Sequence, residues 1–262
     1  LSNNIDDAAL VLEIISGKDD FDGTVSTKEV DQYSNIHTYK NTRKIGYIAE
    51  CLENKNLDKE IRLALKERIE ALKKEGNIVE PVSFPYLNLL VPTYYVITTA
   101  EASSNLARFD GIHYGYRSKN AEDLQNTYFK SRTEGFGKEV KRRIMLGTFV
   151  LSSGYHEAYF TQAQKIRKII QEATNEMFKK YQFILSPTTP HTAFDIGNKY
   201  SNPTTIYLED IFTVHANLTG NPAISIPLGR HSNGMPMGMQ LMANHFEESA
   251  LLEFSNQLFL KE

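Results

Sequence analysis

Between Lys44 and Phe84 the apolar residues change period twice, and that change restricts the chain to few architectures. Residues 44–49 (KIGYIA) form a short apolar run of strand length. Leu57, Ile61, Leu65, Ile69 and Leu72 then recur at helical spacing on a charged stretch that stops at Gly76. Ile78 to Phe84 reads as a second strand, closed by Pro85. A strand, a helix and a second strand in that order make a crossover unit, so the predicted fold class is α/β, a sheet covered by helices.

The other segments fit that frame. Ser2 or Asn3 can cap a helix whose stripe is Ile5, Ala8, Ala9, Leu12 and Ile15, with Gly17 ending it. The polar stretch from Lys18 to Arg43 reads as a loop with room for a short helical turn. Pro92 suits the first turn of a helix running to about Leu106. Two more helices are predicted over 121–146, with a break near Glu134–Gly137, and over 148–180. Phe183 to Ser186 is a short strand running into Pro187-Thr188-Thr189-Pro190. Strands at Ala223–Pro227 and Met237–Ala243 flank Asn233-Gly234, a hairpin signal, and Glu247–Leu260 forms the closing helix. No repeat, low-complexity tract or Gly/Ser linker interrupts the chain, so residues 1–262 read as one domain.

Charge and cysteine usage narrow the function. A net charge of −3 argues against a strong sequence-independent grip on nucleic acid by the whole chain, while leaving room for a local basic patch. The single cysteine, Cys51, permits neither an intrachain disulfide nor a Cys-based metal cluster. No apolar run reaches the length of a membrane span, and no basic-then-apolar signal segment opens the chain. The sequence begins at Leu1 rather than Met, as expected of a truncated protein.

Familiar catalytic motifs do not occur. There is no GxxxxGK[ST] phosphate loop, no HExxH and no EF-hand spacing, and the seven histidines lack metal-ligand spacing. His113, His156, His191 and His215 are therefore expected to be structural or surface residues. Ser152-Ser153-Gly154 has no GxSxG elbow around it, and reads as small residues that let helices pack tightly.

Four segments carry more specific information: YYVITTAEASSNLARFDG (94–111), SRTEGFGKEVKRRIMLGTFVLSSGYHEAYF (131–160), FILSPTTPHTAF (183–194) and ANLTGNPAISIPLG (216–229). Their order and spacing, with DDAALVLEIISG (6–17), resemble the amidase-signature enzymes, and within them the A-subunit family of glutamyl-tRNA(Gln) amidotransferases. The first two segments are diagnostic of that A-subunit family, whereas the Pro-Thr-Thr-Pro and Gly-Asn-Pro-Ala-Ile-Ser-Ile-Pro pieces are shared more widely. The resemblance implies a mixed sheet flanked by helices, incomplete here because the N-terminal part of the fold is absent.

In that family a Lys and two serines, the serines within a Gly/Ser-rich signature, perform the chemistry. No such signature occurs in this chain, so no catalytic residue is assigned; Ser–Lys chemistry needs the base within hydrogen-bond reach of the nucleophile. What the resemblance implies is retained is a glutamine pocket. It places Arg143 at the α-carboxylate, Asp210 at the α-amino group and Tyr94 on the pocket wall. Charge logic agrees, since a free amino acid calls for one fixed cation and one fixed anion, and Arg offers a fork that Lys cannot. Simple amides would leave one of those charges unpaired.

Plainer readings stand beside these. Lys141-Arg142-Arg143 is a basic run of the kind usually solvated, and Lys141 and Arg142 are read as surface residues. Asp210 can equally cap a helix starting at Ile211, and Tyr94 and Tyr95 differ by a single register. The loop from Arg108 to Ser118 suits a pocket wall or a partner surface, and Arg108 can pair with Asp110.

The function implied by the resemblance is the glutamine-hydrolysing step of a tRNA-dependent amidotransferase, making Gln-tRNA(Gln) or Asn-tRNA(Asn). The B and C subunits of that complex would be partners, and tRNA would bind mainly through the complex. ATP and Mg2+ would act on the partner's side, at the B component. The expected setting is a bacterial cytoplasm, or otherwise an organelle, with no membrane contact. The alternatives are an amidase-signature hydrolase of another amide and a non-catalytic assembly fragment. On either account this chain alone is expected to be inactive.

Overall fold

The structure, a computed structural model, describes residues 1–35, 41–197 and 203–259. The described elements cluster into two compact units, one made of Leu1–Asn88 with Ile170–Glu262 and the other of Leu89–Ile169.

The first unit is built on a mixed five-stranded sheet. Its strands are β1 (Lys44–Ile48), β2 (Ile78–Val82), β3 (Phe183–Pro187), β4 (Ala223–Arg230) and β5 (Pro236–Ala243), in the order β2-β1-β3-β5-β4. β1 pairs in parallel with β2 and β3, while β5 runs antiparallel to both β3 and β4. The parallel β1–β2 pair is the crossover that the alternating periods predict. β3 is buried along its whole length, as its uninterrupted Phe-Ile-Leu run requires. Asn233-Gly234 lies in the β4–β5 connection, and the register of that hairpin shifts between Pro227 and Gly229.

Helix α1 (Ile5–Ile15) buries Ile5 and Ala9 against Leu252. Its cap is Asn4, whose side chain accepts from the Asp7 amide; neither Ser2 nor Asn3 caps it. Ala49 opens a short helix, α2 (Ala49–Glu53), instead of extending β1. α3 (Lys59–Lys74) follows, and Asp58 accepts from the amides of Glu60 and Ile61 at its start. Ile61, Leu65, Ile69 and Leu72 form its buried stripe, with Leu57 buried just ahead of it. The predicted loop after α1 contains no helix or strand among its described residues, and its residues 36–40 lie outside them.

α4 (Leu87–Asn105) begins five residues before Pro92, so that proline is inside the helix and not in its first turn. The reason is packing. Leu87, Leu90 and Val91 are buried, and burial worth about 1.5–3 kcal/mol per side chain outweighs an interior proline costing about 3 kcal/mol.

The second unit holds most of α4, then α5 (Leu124–Gly135), α6 (Lys138–Leu151) and a π-helical turn at Glu157–Thr161, which leads into α7 (Gln162–Phe178). The break at Phe136-Gly137 falls where predicted. The next boundary does not: α6 runs through Gly147 and ends at Leu151. Gly147 belongs inside the helix because a Cβ there would collide with the Thr99 carbonyl oxygen, so α4 and α6 touch at that residue. The first unit is completed by α8 (Pro203–Leu208), α9 (Val214–Thr219) and α10 (Glu248–Phe259). Gly220 ends α9 in the left-handed region, at φ +79°.

Candidate functional site

The contact of α4 with α6 orders the side chains one turn before it. Going along both helices, Arg143 lies over the Tyr95 ring, Gly147 meets Thr99, and Ser103 Oγ meets Thr148 Oγ1 at 2.9 Å. The two helices therefore run side by side in the same direction. The Arg143 guanidinium carbon is 5.6 Å from the Tyr95 ring centre, within reach of cation–π attraction.

Arg143 Nε donates to Glu139 Oε1 at 3.0 Å, one turn back along α6. Glu139 also receives Arg142. Burial pushes the Glu139 carboxyl up, but the Arg143 hydrogen bond and the charges of Arg142 and Arg143 outweigh it, leaving the group below its ordinary value. The result is a half-buried guanidinium, 39% exposed, held in one orientation by a carboxylate and a ring. Glu139 is not among the residues singled out from sequence, and Tyr95 enters there only as the neighbour of Tyr94. The four-residue spacing of Glu139 and Arg143 is the signal that points to the pair.

Tyr94 packs edge-on against Tyr95, with ring centres 5.3 Å apart. Of the two tyrosines whose register the sequence left open, Tyr95 is the one against Arg143. Lys141 donates from Nζ to the Thr133 carbonyl, and Arg142 is exposed. Asp210 belongs to the other unit and is half-buried. No helix starts at Ile211: residues 211–213 are turn, α9 begins at Val214, and the Asp210 carbonyl accepts the Val214 amide at 3.1 Å. The capping alternative for Asp210 is thereby corrected.

Within the first unit the two widely shared motifs meet. The Thr188 amide donates to the Gly238 carbonyl, and Thr188 Oγ1 lies 2.7 Å from Ser225 Oγ. Both side chains line a cavity of 670 Å3 with Asn4, Ile226 and Met237. Asn221, buried, ties its segment to β5 by donating to the Ala243 carbonyl.

The histidines take the structural places expected of them. His215 is buried, stacked on Phe84 with ring centres 4.4 Å apart, and its Nε2 is 2.8 Å from Thr174 Oγ1. Thr174 spends its own proton on the Ile170 carbonyl, so His215 is the donor of the pair. Burial lowers its pKa to about 4, so the ring is neutral. His191 meets Glu209 at 2.8 Å, and His156 lies 3.8 Å from Glu157. His113 bonds Asp110 at 2.7 Å; that bond and the amides of Ile112 and His113 hold Asp110 well below the usual carboxylate range. Arg108 instead donates to the Asn105 carbonyl, so it does not pair with Asp110. Ser153 and Gly154 are exposed and Ser152 Oγ donates to the Phe149 carbonyl, which makes this a helix-ending turn, with Gly147 as the packing residue.

The loop 108–118 is pinned to α5. Tyr116 and Ser118 hydroxyls donate to Glu134, and Arg132 donates to the carbonyls of Leu106 and Phe109. Among the described residues no group of three His, Cys, Asp or Glu side chains is placed to hold a metal ion, and no helix is long and apolar enough to cross a membrane.

A family model described as Amidase matches residues 1–252. The A subunit of the glutamyl-tRNA(Gln) amidotransferase of Koribacter versatilis (strain Ellin345) is 44% identical over 256 residues, 97% of this chain and 53% of that protein. Its counterpart from Clostridium botulinum (strain Okra / Type B1) is 45% identical over 256 residues, 97% of this chain and 52% of its own length. Among solved structures, the same amidotransferase component from Thermotoga maritima superposes with a TM-score of 0.74 at 39% identity, over 96% of this chain and 50% of that one. The chain spans about half the length of the curated relatives it matches.

Proposed function

The chain belongs to the amidase family, and from that premise we propose that it forms the glutamine-binding side of the ammonia-supplying component of a tRNA-dependent amidotransferase. Such a complex converts Glu-tRNA(Gln) to Gln-tRNA(Gln), Asp-tRNA(Asn) to Asn-tRNA(Asn), or both. The observation that carries the reading is Arg143, a half-buried guanidinium oriented by Glu139 and Tyr95. A guanidinium fixed through Nε presents its fork in one direction, as a bidentate carboxylate contact requires.

Arg143 receives the α-carboxylate of glutamine, Asp210 takes the α-ammonium, and Tyr94 lines the pocket while Tyr95 backs the arginine. Together the two charges select a zwitterion over a plain amide. This chain's residues thus bind and orient the substrate. The Lys and two serines of the family's chemistry are not assigned to any of its positions. ATP and Mg2+ belong to the B component of the complex, and this chain carries no phosphate loop for them. The B and C components are the protein partners, and both compact units are parts of one amidase domain.

Two measurements test this. The chain alone should release no ammonia from glutamine; robust turnover would refute the absence of a nucleophile. In a protein extended to the length of its relatives, Arg143→Ala should raise the glutamine KM about a hundredfold, close to 3 kcal/mol for a lost charged hydrogen-bond pair. Arg143→Lys should recover little of it. An unchanged KM and rate in Arg143→Ala would remove the carboxylate clamp.

A further inference from the structure

The two units differ sharply in charge. Residues 89–169 carry 12 Lys and Arg against 7 Asp and Glu, a net +5, while the rest of the chain carries 17 against 25, a net −8. Inside the basic unit, α5 and α6 enclose a groove of 450 Å3 whose lining is mostly apolar. Phe129 and Met145 stand on its two sides, 69% and 73% exposed, with Tyr128 beside them. Large apolar side chains that converge on a concavity while still facing water mark an interaction site more strongly than scattered ones do.

The groove is also one-sided in charge. Arg132 and Lys141 line it, and no Asp or Glu does. Both cations are held in place without being neutralised, since their partners are carbonyls: Leu106 and Phe109 for Arg132, Thr133 for Lys141. The carboxylates nearest in sequence are engaged elsewhere, Glu134 by Tyr116 and Ser118, Glu139 by Arg142 and Arg143.

We propose that this groove docks an acidic amphipathic helix of a partner protein, apolar side chains inside and carboxylates against Arg132 and Lys141. The shape favours a helix, because ridges spaced by three and four residues on α5 and α6 accept the matching ridges of a third helix. RNA is less well served: a stacking platform tracks a strand with a row of cations beside flat rings, whereas this lining is a concave and mostly apolar groove with two cations. The proposal does not rest on the glutamine reading.

A fluorescent helical peptide of about 18 residues, with Leu at i, i+3, i+4 and i+7 and Glu on the flanks, tests it against the full chain. We expect saturable binding near 10 μM, at least about tenfold weaker for the same peptide with Lys in place of Glu. Phe129→Ala and Met145→Glu, each on an exposed residue of a different helix, should each weaken binding about tenfold while circular dichroism and thermal midpoint stay unchanged. No binding, equal binding of the two peptides, or wild-type affinity in both variants overturns the proposal. So does displacement of the peptide by poly(U) RNA, or a dimer of the chain that Met145→Glu dissolves.

Discussion

The sheet unit and the helical unit solve the problem of burying apolar surface in different ways. In the sheet unit the core is continuous: Ile45, Phe183, Ile184, Leu185, Ile226 and Leu241 are all within 1% of complete burial, and each sits on a strand paired to its neighbours. In the helical unit Gly147 lets α6 approach the Thr99 carbonyl of α4, while Phe129, Met145, Phe149, Tyr155 and Tyr159 remain exposed. The first unit is acidic and the second basic. The sheet unit also leaves large apolar side chains in water, Ile14, Ile15 and Phe21 among them, but in the helical unit Phe129 and Met145 converge on one groove beside Arg132 and Lys141.

Substitutions in each unit test that difference. Leu185→Ala should produce the largest effect, about 4 kcal/mol, because the residue is wholly buried in the central strand. Gly147→Ala should cost about 3 kcal/mol, since α4 and α6 must separate to admit the new methyl group. Hydrogen exchange reads both: the first variant should lose protection in β1, β3 and β5, and the second in α4 and α6. Identical protection loss throughout the chain in both variants would show one cooperative unit instead of two.

The smallest expected effect is the pH dependence carried by His215. Its pKa in the folded protein, about 4, lies below the ordinary value of 6.5, so the unfolded chain binds the extra proton as pH falls. The stabilisation from keeping it neutral is intact above pH 6.5 and is lost as pH drops toward 4. Between about pH 7.5 and about pH 5 the wild type should lose about 2 kcal/mol from this residue. Urea unfolding at the two pH values checks it, and His215→Gln should show a smaller pH difference by that amount.

Several elements were legible in the residue pattern because their cause is local. The α3 stripe follows from helical spacing alone, and the β4–β5 hairpin from Asn-Gly between two apolar runs. Pro92 and Gly147 were misplaced for a shared reason: proline and glycine signal helix ends locally, but packing by Leu90 and Val91, and the approach of Thr99, keep both inside helices.

At the candidate site the same divide holds. Resemblance pointed to Arg143, and the amino-acid order contains the Glu139–Arg143 spacing, since four residues on a helix return to one face. Which of two adjacent tyrosines meets Arg143 is another matter. Neighbouring positions on a helix point about 100° apart, and only the seating of α4 against α6 decides for Tyr95. His215 against Phe84 and Thr188 against Ser225 likewise join residues far apart along the chain. By itself, then, the sequence determined the fold class, most of the elements and the family. Tertiary structure alone decided which faces meet, because side-chain contact across long separations depends on how whole elements pack and not on local preference.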